Sequence, residues 1–194
     1  MRPLARGCYR VLMLITALGW GATLAAAEAP GAVERLQGGD VLLLRHAIAP
    51  GFGDPEGFRV DECSTQRNLS EAGRRQAKAI GAWLRARGVH QAQIYSSQWC
   101  RCLETAELLD LGEVSPLPAL NSFFESPADR EPNLRALRSF LASYTPRHNQ
   151  PLVLVTHQVT VTALTDIFPG SGEGVVATLS GDGGLRDFTR LGFR

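Results

Sequence analysis

The chain has 194 residues, 20 of them basic and 19 acidic, with no internal repeat, heptad run or low-complexity tract. That length accommodates one ordinary domain with a full core. The near balance of charge removes any global electrostatic reason to bind nucleic acid or an anionic membrane, so anion binding has to be local.

Residues 1–27 read as a secretory signal peptide. Arg2, Arg6 and Arg10 form a positive leader, Val11 to Leu24 is mostly apolar, and Ala25, Ala26 and Ala27 supply a small-residue cleavage site before Glu28. The apolar run is too short for a comfortable bilayer span, and no cysteine stands directly after the cleavage site to take a lipid. A mature chain of residues 28–194 is expected to be exported or periplasmic, slightly acidic and without stable membrane insertion. Its three cysteines, Cys63, Cys100 and Cys102, then face a compartment that permits disulfides. Cys100 and Cys102 point to different faces of a predicted helix, so the expected bridge joins Cys63 to one of them.

Residues 28–38 are short and polar and read as a surface lead-in. A strand over 40–45 follows, because VLLL in VLLLRHA is a continuous branched run of the kind buried on both faces. It ends at Arg45 and His46 and opens into IAPGFGDPEGF, a loop rich in glycine and proline. Ser70 caps a helix whose apolar positions are Ala77, Ile80, Ala82, Trp83 and Leu84 and which Gly88 ends. A strand over Gln93–Ser96 finishes in Ser96 and Ser97, and a helix runs from Gln98 to Asp110 with Cys102, Ala106 and Leu109 inward. A Pro-rich passage holds one brief strand near Val114; its length marks it as a lid or binding loop. A helix over Glu131–Tyr144, a buried strand over Leu152–Val155 ending at Thr156 and His157, and a helix over Val159–Ile167 follow. Strands Val175–Leu179 and Leu185–Leu191, joined by SGDGG, form a hairpin. The alternation predicts an α/β fold: a mainly parallel sheet covered on both faces, with an antiparallel edge.

In such a sheet the ends of the parallel strands lie on one edge, so His46 and His157 can meet there. Arg101, in the first turn of the helix after Ser97, reaches the same edge near a helix amino terminus. Two arginines, two histidines and a helix end suit a phosphate dianion.

The order LLLRHA, LSEAGRRQA, YSSQWCRCLETAE, a loop Glu and VLVTHQ resembles the histidine phosphatase superfamily, with its phosphoglycerate mutase-like fold, over Gly39 to about Leu191. The resemblance implies a three-layer α/β/α sandwich and phosphoryl transfer through a phosphohistidine, with no metal or other cofactor. By position, His46 matches the nucleophile, Arg45 its neighbour in the RHG motif, Arg101 the arginine of S-x-x-x-R-x-x-x-T-A, and His157 the second histidine. The arginines and His157 would hold the phosphoryl oxygens. Glu125 is the expected general acid, raised in pKa by the phenylalanines beside it; Asp129 and Glu131 are rivals in the same loop. Arg67 is a further phosphate or substrate contact, or else half of a structural ion pair. Ala47 stands where the family has glycine, its methyl expected to tighten the pocket floor. The polar residue of the mutase branch is absent, which counts against a mutase. His90 and His148 read as surface residues.

The expected activity is hydrolysis of small phosphate monoesters, envelope sugar phosphates among them, by a metal-independent exported phosphatase. The alternative is a non-catalytic phosphosugar-binding or phosphoglycan-binding module of the same fold, which would not need His46 as a nucleophile. No HExxH, HxH or carboxylate cluster favours a metal-dependent hydrolase. Oligomeric state and physiological substrate are not encoded in these motifs.

Overall fold

A computed structural model describes residues 31–147 and 149–194. The predicted signal peptide, and His148, lie outside the described residues. The elements in order are α1 (Ala32–Gln37), β1 (Val41–Arg45), α2 (Glu71–Ala86), β2 (Gln93–Ser96), α3 (Cys100–Leu108), β3 (Val114–Pro116), α4 (Arg130–Ser143), β4 (Leu152–Thr156), α5 (Gln158–Thr165), β5 (Gly174–Leu179) and β6 (Leu185–Leu191). They build one sheet in the order β3-β2-β4-β1-β5-β6. Strands β3, β2, β4 and β1 run parallel; β5 and β6 are the antiparallel edge.

The apolar runs of β1 and β4 explain the layering. Side chains alternate between the two faces of a strand, and here both faces are covered. Leu42 and Leu44 share a core with Leu36, Ile80, Leu84, Cys102, Ala106, Val153 and Val155, so α1, α2 and α3 cover that side. Val41 and Leu43 share another with Leu137, Leu141, Leu152, Leu154, Val161 and Val175, so α4 and α5 cover the other. The result is the three-layer α/β/α sandwich.

Two expectations change. The lead-in contains α1, whose Ala32 and Leu36 stand at helical spacing and are buried. Its Arg35 is anchored by Asp40 at 2.7 Å and by the hydroxyls of Thr178 and Thr189 at 3.1 Å each. On α2, Ala82 faces solvent, and Gly73 and Gly81 take places on the buried side. At Gly81 a Cβ would stand 1.9 Å from the Leu109 carbonyl oxygen. Hydrogen there lets the backbones of α2 and α3 touch. Ser70 caps α2, accepting the Gly73 N–H at 3.1 Å.

Candidate active site

The carboxyl ends of β1, β2 and β4 lie side by side, and the residue following each strand enters the site. The β1–β4 ladder extends one residue further, His46 N–H donating to Thr156 O at 3.0 Å. His46 is 2% exposed, and its Nδ1 lies 2.8 Å from the Ala47 carbonyl. A carbonyl only accepts, so Nδ1 carries the proton and Nε2 keeps its lone pair. Burial lowers the His46 pKa to about 3 despite the carbonyl's opposing pull, and the charges of Arg101, Arg45 and Arg67 add to the lowering. The imidazole is neutral at pH 7.

Thr105 locks this arrangement from below. Its hydroxyl accepts the Ala47 N–H at 3.0 Å and donates to Arg101 O at 2.6 Å. The Ala47 methyl lies in a small cluster with Ala49, Leu69 and Ala77 rather than on the pocket floor, which corrects the expected tightening.

His157 directly precedes α5, its ring centroid 5.6 Å from that of His46 and 5.4 Å from that of Trp99. Its Nε2 pairs with Ser97 Oγ at 2.8 Å, and the Cys102 thiol lies 3.5 Å away. Burial, followed by the charges of its neighbours, holds its pKa well below the ordinary value. When the Ser97 hydroxyl donates to Nε2, the neutral ring carries its proton on Nδ1 as a donor.

Arg101, buried in the first turn of α3, makes a two-pronged ion pair with Asp54, Nη1 to Oδ1 at 2.7 Å and Nη2 to Oδ2 at 3.0 Å. Asp54 also accepts the Arg67 N–H at 3.1 Å and the Trp99 indole N–H at 3.0 Å. Burial alone would raise its pKa, but the hydrogen bonds and charge of Arg101 hold the carboxylate below its usual range. Sequence reasoning missed Asp54, Ser97 and Thr105 as working residues. The signal for Asp54 was indirect: a buried arginine needs an anion beside it.

Arg45 donates through Nη1 to Pro169 O at 3.0 Å. Burial first, then the charge of Arg101, lowers the pKa of both Arg45 and Arg67, the mark of guanidinium groups crowded together. The buried Nε–H groups of Arg45 and Arg101 have no hydrogen-bond partner among the described residues. Among the described residues, the Arg67 side chain has no carboxylate partner. Its Nε and Nη1 hold the carbonyls of Gly53 at 2.6 Å and Ala49 at 2.5 Å, fastening the loop after β1.

Arg45, His46, Asp54, Arg67, Arg101, His157, Glu125 and Asp129 all line one cavity of about 310 Å³. Glu131 does not; it pairs with Arg130 at the start of α4. Glu125 is exposed, which removes the expected desolvation: Phe123 is buried and Phe124 packs on Phe52. Its Oε1 instead accepts the Asp54 N–H at 2.9 Å. A larger groove of about 470 Å³ lies at the opposite ends of β2 and β3, beside exposed His90, away from the paired histidines. Among the described residues, no three His, Cys, Asp or Glu side chains gather as metal ligands, and no helix is long and apolar enough to cross a membrane.

The family profile for the histidine phosphatase superfamily (branch 1) matches residues 41–126, from β1 to just past Glu125. The putative phosphohistidine phosphatase SixA from Agrobacterium tumefaciens is 25% identical. It superposes with a TM-score of 0.52, over 79% of this chain and 99% of that one. Residues 41–126 match the histidine phosphatase superfamily, and the chain carries that fold. Two further structures carry the histidine phosphatase fold at lower identity. A protein histidine phosphatase SixA complexed with tungstate is 17% identical, with a TM-score of 0.51 over 77% of this chain and 96% of that one. A mycobacterial glucosyl-3-phosphoglycerate phosphatase complexed with VO3 is 19% identical, with a TM-score of 0.50 over 72% and 92%. No curated protein matches the chain. The disulfide joins Cys63 to Cys100, and Cys102 is free and buried. The bridge ties the loop that follows β1 to the first residue of α3, next to Arg101.

Proposed function

We propose that the protein is an exported, metal-independent phosphatase that hydrolyses small phosphate monoesters through a phosphohistidine on His46. The observation that carries this reading is the His46 ring: buried, neutral, and fixed by its Nδ1–H on the Ala47 carbonyl. An imidazole so held offers Nε2 as a nucleophile at neutral pH, with its aim set in advance. The unpaired Nε–H groups of Arg45 and Arg101 support phosphate beside it.

In the first step the Nε2 lone pair attacks phosphorus and the bond to the leaving oxygen breaks. Arg45, Arg101 and His157 hold the transferring oxygens, and a carboxyl gives the leaving oxygen its proton. In the second step water attacks phosphorus, the N–P bond breaks, and the same carboxylate takes the water's proton. Glu125 is assigned this proton role, with Asp129 as the rival that shares the cavity. Asp54 N–H binds Oε1 of Glu125 and leaves Oε2 to exchange the proton. The leader sequence and the Cys63–Cys100 bridge support an oxidising compartment. Envelope sugar phosphates are the substrates assigned there.

The test is a single-turnover reaction with an aryl phosphate in chelator, comparing wild type with His46→Ala and trapping acid-labile phosphate on the protein. A labelled wild type beside a dead, unlabelled variant is the expected result. Equal labelling of both would overturn the nucleophile. Absence of turnover and label in both, across aryl and sugar phosphates, would favour the binding module.

A further inference from the structure

The cavity has an outer half that the phosphate does not use. Phe52 is 87% exposed and Phe124 44% exposed, yet their rings meet edge to face with centroids 4.9 Å apart. They come from two different loops, and Phe58 and Trp99 continue the aromatic wall inward, 5.5 Å apart.

This wall is fastened. Arg67 holds the carbonyls on either side of Phe52, those of Ala49 and Gly53, and Glu125 accepts the Asp54 N–H. At Gly53, φ +65°, a Cβ would stand 2.5 Å from Glu125 Oε1, so a side chain there would displace the Glu125 carboxylate from its place beside the Asp54 N–H. An exposed phenylalanine on a pinned loop is pre-organised to cover an apolar surface.

Charge is sorted along the same cavity. The cations that line it are Arg45, Arg67 and Arg101; Arg101 is paired with Asp54, and Arg67 is spent on the carbonyls of Gly53 and Ala49. At the mouth stand Glu125 and Asp129, with Ser122, Ser126 and Gln158 as neutral polar neighbours. A leaving group with its own negative charge would meet carboxylates there, with no unpaired cation lining the mouth among the described residues. A volume of about 310 Å³ is at the small end of ligand sites.

We infer that the outer half is a leaving-group subsite for a single six-membered ring with an apolar face and no negative charge, pyranose or aromatic. Such a ring lies against Phe52 and Phe124 while its polar edge meets the mouth. This rests on the phosphate reading above and adds the leaving group to it.

Binding of non-hydrolysable phosphonates, measured by calorimetry on the disulfide-bonded mature protein, tests the inference without turnover. The probes are methylphosphonate, benzylphosphonate, 4-carboxybenzylphosphonate and the methylene phosphonate analogue of glucose 6-phosphate. A ring is expected to tighten Kd about tenfold or more over methylphosphonate, and the added carboxylate to cancel that gain. Phe52→Ala and Phe124→Ala should each remove most of the ring's gain while methylphosphonate binds as to wild type, which also reports an intact fold. The tighter of the benzyl and glucose probes names the ring. Equal Kd for methyl and ring phosphonates, or a carboxylated ring binding as well as benzylphosphonate, would overturn the subsite and leave the phosphatase reading standing. Loss of binding of every phosphonate would instead remove the phosphate site on which both rest.

Discussion

Replacing His46 by Asn should make the protein less sensitive to acid. In the folded protein the His46 pKa is about 3, against an ordinary 6.5. Between these values the unfolded chain binds a proton that the folded chain does not, so stability is complete above pH 6.5 and is lost as pH falls through the window. Each pH unit is worth about 1.4 kcal/mol. The loss from this residue is therefore about 2 kcal/mol at pH 5 and approaches about 5 kcal/mol near pH 3. Urea unfolding of wild type and His46→Asn from pH 7.5 to 4, in buffer free of phosphate and sulfate, reads the difference. His157 titrates in both proteins and largely cancels. The stability of the variant relative to wild type should rise by about 2 kcal/mol between pH 7.5 and 5. A difference that stays flat across that interval would refute the buried neutral imidazole, and with it the assignment of Nε2 as a ready nucleophile.

Thr105→Val should cost about 1–3 kcal/mol in urea melts, because it strips the Ala47 N–H of its buried acceptor; an unchanged midpoint would deny that this bond is isolated from water. Gly81→Ala improves helix propensity by about 1 kcal/mol, yet should destabilise, since its methyl would meet the Leu109 carbonyl oxygen; thermal melts decide the sign. Asp54→Asn should leave Arg101 buried against a neutral partner and cost about 3 kcal/mol or more; chemical denaturation reads it, and a loss under 1 kcal/mol would remove Asp54 as the counter-ion. The Cys63→Ala, Cys100→Ala double variant should lose about 2–4 kcal/mol through the loop it frees, seen as a lower urea midpoint that added reductant does not lower further.

What the sequence disclosed and what it hid follow from range. Branched runs such as VLLL and LVLV announce strands buried on both faces because burial acts on each residue locally, and Ser70 announces a helix start because a cap needs only its own next turn. The meeting of His46 with His157 was legible for a topological reason: parallel strands put their ends on one edge. Asp54 stayed invisible because its meaning lies in Arg101, 47 positions along the chain, and one carboxylate in a glycine-rich loop looks like another. Glu125 was misjudged for the opposite reason. Neighbours in sequence suggested a greasy pocket, whereas Phe123 turns inward and Phe124 turns to Phe52. Six residues of α1 escaped notice because a helix that short is stabilised by what it packs on and not by its own propensity.

The Cys63–Cys100 bridge has a chemical consequence for the life of the folded protein. The two pairings open to Cys63 on paper are also open to the unfolded chain, so oxidation before folding can trap the wrong isomer. Folding then closes that choice. Cys102 ends fully buried, its thiol pushed up to about 12 by burial despite the opposing charge of Arg101. Reshuffling requires an attacking thiolate, and at neutral pH this sulfur supplies almost none. The folded molecule thus carries a thiol beside its disulfide without the usual hazard of exchange, and alkylating reagents should label Cys102 only once the structure opens.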